Sequence, residues 1–380
     1  MANGGFGISA SDAMRLKIAT DGITDDDVKQ LFSNAIESSF RYSGAGSYYS
    51  RYGMVLSQYD RYGYNPLPPN REHTGLTFIT RPRLNFQRTN LRQDSVMAWL
   101  DSVDPMSLPF SIRAYLDAEW ADQKKDLVEF SPFVNGNSPF IIPLTNCMKG
   151  ITGFPDFMLD TITTEQDFYG GDQTIVAGSN FNQNTNDLTL TFRDIQGGYV
   201  SALFLAWLRT MALLRLGIMV AYPEDIAYNE MCYSCAIYRF VLDPSKKFIV
   251  KWAKGTGCFP VNLPSGSFFN INDGETFSSS GAEFSVTFKM NHFHMQDGAI
   301  LKNFNTLVNR FVGGDPRPGR LKAPSRTYTN FTGIPYIDTE GGRNELMFLA
   351  SEEELQNPAG SIVQQMQSKA QALRSAASNF

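Results

Sequence analysis

Hydrophobic positions along the chain follow two periods. Val28, Leu31, Phe32, Ala35, Ile36 and Phe40 recur at helical spacing. Thr24 precedes them as a cap, and Asp25, Asp26 and Asp27 sit where the positive end of a helix dipole favours carboxylates. Leu188, Leu190 and Phe192 alternate instead with Thr189 and Thr191. Phe284, Val286, Phe288 and Met290 alternate with Ser285, Thr287 and Lys289. Both runs predict strands with one buried face. Residues 76–79 predict a further strand, which Pro82 ends or confines to a sheet edge. Short helices are predicted over 94–100 and 112–120, and a loop over 130–155. Gly197-Gly198 precedes the most apolar stretch. There Val200, Leu203, Phe204, Trp207, Leu208, Met211, Leu214 and Leu216 leave almost no polar face, so a helix covered on most sides is expected. From Met219 the pattern turns to strands. A hairpin is predicted from 233–242 and 248–252 around the turn Asp243-Pro-Ser-Lys. An irregular crossing over 255–264 and a strand over 267–271 follow. Ile300, Phe304, Leu307, Val308 and Phe311 then predict an amphipathic helix over 299–312.

Three stretches fit neither period. Residues 1–7 read as an arm. Residues 42–70 intersperse seven tyrosines (42, 48, 49, 52, 59, 62 and 64) with Gly, Ser and Arg and end in Asn65-Pro-Leu-Pro-Pro-Asn70. Tyrosine supplies rigid contact area with a polar tip. The segment therefore either orders against neighbouring subunits or folds onto its own domain. Residues 313–343 are rich in Gly and Pro and read as extended. Beyond them Asn357 and Pro358 open a helix whose Ile362, Met366, Ala370, Leu373 and Ala377 form one narrow stripe, docking either outside the domain or on it. The division expected is 1–70 as helix and Tyr/Gly-rich arm, 71–312 as core, and 313–380 as extended segment and C-terminal helix. Candidate interface residues are Tyr48, Tyr49, Tyr52, Tyr59, Tyr62, Tyr64, Met366 and Leu373. No internal repeat is evident at solenoid or propeller periods.

Composition narrows the function. Hydrophobic residues make up 42% of the 380, aromatics 13% and charged residues 19%. Aromatic enrichment with charge depletion is the signature of interface cores, and also of a Phe-rich interior. A net charge of -5 argues against a nucleic-acid clamp, which needs a basic face. Four cysteines are too few for a disulfide scaffold and fit a reducing compartment. No signal peptide is read at the start of the sequence. Arg209 and Arg215 interrupt the apolar run 200–222, which reads as a buried helix running into a strand and not a membrane span. With only His73, His292 and His294, and no nucleophile elbow or phosphate loop, no catalytic residue and no cofactor site is assigned. Cys232-Tyr-Ser-Cys235 has the spacing of a zinc knuckle. Cys258 lies downstream, and Cys147, His292 or His294 could complete a set. Its flanks are apolar strand, so the cysteines are read as small core residues and no metal is assigned. His292 and His294 flank Phe293 and would share one solvated face of a strand.

Tyr238-Arg-Phe-Val-Leu-Asp243, the hairpin after it, Phe259-Pro-Val-Asn-Leu-Pro264 and Phe284-Ser-Val-Thr-Phe-Lys289 resemble the tube-type domains of contractile bacteriophage tails. Gly75-Leu-Thr-Phe-Ile-Thr-Arg-Pro-Arg-Leu-Asn85 looks like a segment of large-phage virion proteins. The resemblance implies an α+β fold: an antiparallel tube-type β-sandwich or barrel with packed helices, a long N-terminal extension and a C-terminal helix. It implies a structural, non-enzymatic tail subunit assembled in the host cytoplasm and residing in the virion. Its partners would be copies of itself in a ring, hexameric in that family, other tail or baseplate proteins, and DNA passing without sequence-specific binding. About 200 residues precede the resembling region, which favours a junction or baseplate tube role over a minimal tube subunit. A neck or head-to-tail connector is the alternative.

Overall fold

The computed structural model describes residues 74–349 apart from 125–126, 129–130, 132, 137, 165–169, 184–186, 196, 229–230, 244–245, 267–282, 312–333 and 339–343. In chain order the first elements are β1 (Thr74–Ile79), α1 (Arg88–Leu91), α2 (Leu108–Leu116), α3 (Ala118–Gln123) and α4 (Ile142–Cys147). Next come β2 (Met148–Thr152), β3 (Phe157–Thr163), β4 (Thr174–Gln183), β5 (Asp187–Arg193), α5 (Tyr199–Arg215) and α6 (Pro223–Tyr228). The remainder are β6 (Cys235–Leu242), β7 (Ile249–Pro260), β8 (Glu283–Lys289), β9 (His292–Met295), α7 (Gly298–Phe311), β10 (Ile334–Asp338) and β11 (Glu345–Leu349). Helices and antiparallel strands are mixed, and among the described residues the strands do not close into a barrel. The chain forms two compact units, one of 1–145, 237–254 and 294–380, the other of 146–236 and 255–293. The predicted segments 24–40, 42–70, 267–271 and 357–377 lie outside the described residues.

In the first unit β1 pairs antiparallel with β6, from Thr74 opposite Leu242 to Ile79 opposite Ile237. Phe78, Tyr238 and Phe240 meet Phe140 and Phe304 in one aromatic cluster. Phe304 stands 4.9 Å from Phe140, 5.1 Å from Phe240, and 5.3 Å from both Phe78 and Tyr238. This buried face places the side of α7 that its 3.6-residue period predicts. Asn305, one residue on, donates through Nδ2 to Ile337 O at 2.7 Å and accepts from Ile337 N at 2.9 Å, so one side chain stands in for a strand partner of β10.

The single helix expected over 112–120 is two. Asp117 is extended (φ -125°, ψ 91°), and its carboxylate accepts from Trp120 N at 2.9 Å, capping α3. The other oxygen accepts from Phe86 N at 2.7 Å. A fully buried carboxylate that satisfies two backbone donors outweighs helix continuity here. Arg113, also buried, stacks 4.1 Å over the Trp120 ring and donates to Phe86 O. Over 94–100 only a 3-10 turn forms, Ala98–Leu100. Within the loop expected over 130–155 the chain makes α4 and β2.

In the second unit β2, β5 and β8 pair antiparallel, and β8 continues onto the end of β7 through Phe259–Lys289 and Pro260–Phe288. Leu188, Leu190, Phe192, Phe284, Val286 and Phe288 all face inward, as the alternation predicts. Phe204 and Trp207 of α5 pack on them, with Phe204 at 5.1 Å from Phe192 and Trp207 at 6.2 Å from Phe288. Trp207 Nε1 donates to Tyr233 O at 3.0 Å. The expected irregular crossing over 255–264 is strand as far as Pro260. Its glycines mark close approach: a Cβ on Gly255 would lie 2.6 Å from Met290 Sδ, and Gly257 has φ +64°. The strands expected from Met219 begin only at Cys235, after α6.

Candidate assembly surface

The interface residues read from the sequence, Tyr48, Tyr49, Tyr52, Tyr59, Tyr62, Tyr64, Met366 and Leu373, lie outside the described residues. The polar candidates do not gather. Among the described residues no group of three or more His, Cys, Asp or Glu could hold a metal ion. The four cysteines are free thiols. Burial, with Cys258 beside it, pushes the Cys235 thiol well above its ordinary range. Burial and then the Asp225 carboxylate push Cys232 to about 11. Such thiols are protonated and poor nucleophiles near neutral pH. His292 and His294 are exposed on either side of buried Phe293, as the sequence predicts. No helix among the described residues is long and apolar enough to cross a membrane.

Two apolar surfaces of the second unit stand out instead. The first is a corner formed by α5, α6 and their connection. α5 buries one face, yet Leu205, Arg209, Ala212 and Leu216 line up on the opposite face and are exposed. The helix is covered on most sides, as expected, and this one stripe is left exposed. α5 stops in a Schellman turn: Gly217 adopts φ +71°, its N–H reaches Leu214 O, and Ile218 N reaches Leu213 O. The turn returns Met219 to the core and leaves Ile218 and Val220 outside. α6 then presents Ile226 and Tyr228, with Leu216 70% and Tyr228 78% exposed. Asp225, by contrast, is buried.

The second surface is a ribbon. β3 and β4 pair with each other and with no other described strand. Ile162 lies opposite Ile175 and Thr161 opposite Val176. Thr164 Oγ1 donates to Gln173 O at 3.0 Å near the hairpin end. Residues 159–164 and 170–177 are exposed without exception, including Leu159, Ile162, Ile175 and Val176. A two-stranded hairpin open on both faces is marginal in water by itself, and its unpaired edges invite another chain. The sequence carried a signal for it: β-branched runs either side of Gly170-Gly171.

Three cryo-EM structures are similar to part of the chain. One is the tube-terminating cap of the anti-feeding prophage, at 11% identity, covering 40% of this chain and 80% of that chain with a TM-score of 0.25. Another is the sheath/tube terminator of an extracellular contractile injection system, at 12% identity over 39% and 84%, with a TM-score of 0.23. The third is the sheath–tube complex of such a system, at 12% over 42% and 83%, with a TM-score of 0.24. No curated protein matches the chain. The sequence profile of a family described as "Putative phage tail tube protein" matches residues 15–350. That match spans most of the chain, so the protein belongs to this family of phage tail tube proteins.

Proposed function

We propose that the chain is a non-enzymatic structural subunit of a contractile phage tail. It forms a ring, hexameric, around the DNA channel, as a tube subunit or at the junction of tube and baseplate, and joins other tail or baseplate proteins in the virion. Its antiparallel sheets are the tube-type sandwich of this role. The 42–70 segment and the part of 313–343 ahead of β10 act as arms between subunits. Assembly takes place in the host cytoplasm.

The observation that carries the reading is the uncovered apolar surface of the second unit. A ribbon exposed on both faces and a helix with an open Leu/Ala face are stable when another chain covers them. The net charge of -5 supports a channel role, since a wall that does not neutralise phosphates lets DNA slide. Native mass spectrometry of the full chain tests the reading. A closed assembly of six times the 42.5 kDa chain mass is expected, and a single-chain mass at every concentration refutes it. Deleting 48–62 is expected to leave a folded chain that no longer assembles. Loss of folding in that deletion would show the segment to be core.

A further inference from the structure

We infer that the two uncovered surfaces are the halves of one head-to-tail interface, the β3–β4 ribbon of one copy docking on the α5–α6 corner of the next. This rests on the ring-subunit reading above and names the surface and partner that the ring requires.

Three observations support the pairing. The first is charge. From Phe157 to Gln183 the ribbon and its connection hold Asp160, Glu165, Asp167 and Asp172 and no Lys or Arg. From Tyr199 to Tyr228 the corner exposes Arg209 and Arg215 against one exposed carboxylate, Glu224, with Asp225 buried, so it is far less acidic than the ribbon. The ribbon's carboxylates repel a second ribbon and favour the arginine-bearing corner. The second is area. Leu205, Leu216, Ile218, Val220, Ile226 and Tyr228 together expose on the order of 600 Å², a large share of the roughly 800 Å² per partner of a standard interface. The third is geometry. The two surfaces differ, so a contact between them is heterologous. Such a contact repeats from copy to copy and closes into a ring or continues as a filament, whereas a self-matching contact stops at a dimer.

A mixing experiment with the full chain separates this pairing from others. Ile162→Glu with Ile175→Glu spoils the ribbon, and Leu216→Glu with Tyr228→Glu spoils the corner. All four sites are exposed, so thermal melting by circular dichroism is expected to match wild type. Each double variant alone is expected at the 42.5 kDa single-chain mass by sedimentation. Mixed in equal amounts, the two are expected to form a species of twice that mass, because an intact ribbon from one meets an intact corner from the other. Val103→Glu, at an exposed apolar site of the first unit, is expected to assemble as wild type does. A mixture that stays at single-chain mass, or a double variant that assembles normally, overturns the pairing while wild-type assembly leaves the ring reading standing. Wild-type protein that never assembles overturns both. Should a double variant melt early, Arg215→Glu serves alone. Weaker assembly with unchanged melting upholds the pairing, and unchanged assembly contradicts it.

Discussion

Removing the ring of Phe304 tests the aromatic core of the first unit. Phe304 is fully buried and has four aromatic neighbours within 5.3 Å. Phe304→Ala takes about 130 Å² out of the apolar area that folding buries, at about 25 cal/mol/Å², which is roughly 3 kcal/mol. The void left among Phe78, Phe140, Tyr238 and Phe240 adds a cavity cost of about 1–2 kcal/mol, since four rings on different elements cannot all move inward. The expected loss is therefore about 4–5 kcal/mol, at the upper end for Phe→Ala. Urea unfolding followed by fluorescence reads it, with Trp99, Trp120 and Trp252 all in this unit. With a slope of about 2 kcal/mol/M the midpoint moves down by about 2 M. Phe304→Leu keeps most of the volume and is expected to lose under half as much. A Phe304→Ala loss under about 1.5 kcal/mol would refute the packing argument, because it would mean that the cluster closes over the gap or that Phe304 is not in it.

Other consequences are independent of that cluster. Asp117→Ala removes the acceptor of Phe86 N and Trp120 N and is expected to cost about 2–4 kcal/mol, with Asp117→Asn recovering part; calorimetric melting of both variants checks this. Phe288→Asp is expected to prevent folding of the second unit, since Phe288 is fully buried, while half-exposed Thr287→Asp folds; circular dichroism decides, and the reverse result would mean that β8 faces the other way. Raised folded-state values for Cys232, to about 11, and Tyr238, to about 12, mean that the folded chain holds protons that the unfolded chain releases first. Their stabilising share is intact below the ordinary values of 9 and 10 and fades as pH climbs from there to about 11 and 12; melting at stepped alkaline pH is expected to show this loss, and a flat profile across that window contradicts it. Maleimide is expected to leave buried Cys235 unlabelled in folded protein at pH 7, while unfolded protein is labelled fully, as mass spectrometry reads.

Elements whose pattern matches one period over several residues were legible. β5 and β8 alternate without a break, and α7 keeps Ile300, Phe304 and Val308 on one side, so burial follows from spacing. Elements governed by one polar contact or one close approach were not. Nothing in 112–120 breaks the helical period; the break comes from Asp117, which caps α3 at Trp120 N and accepts from Phe86 N, 31 residues away. The glycines at 255 and 257 resemble a loop until Met290 and Asn291 are seen against them. The exposed apolar surfaces were legible only in part. The apolar character of α5 is plain in the sequence, but periodicity cannot tell a face covered by its own chain from one covered by another. Leu216 therefore reads as interior from the sequence, where the structure leaves it exposed.

Self-assembly into a ring is the central expectation. Electron microscopy of purified full-length protein, averaged along the particle axis, examines that most directly. Six-fold rings with an open centre, stacked or single, are the result expected. Compact single-chain particles, or a closed dimer with two-fold symmetry and no channel, would contradict it.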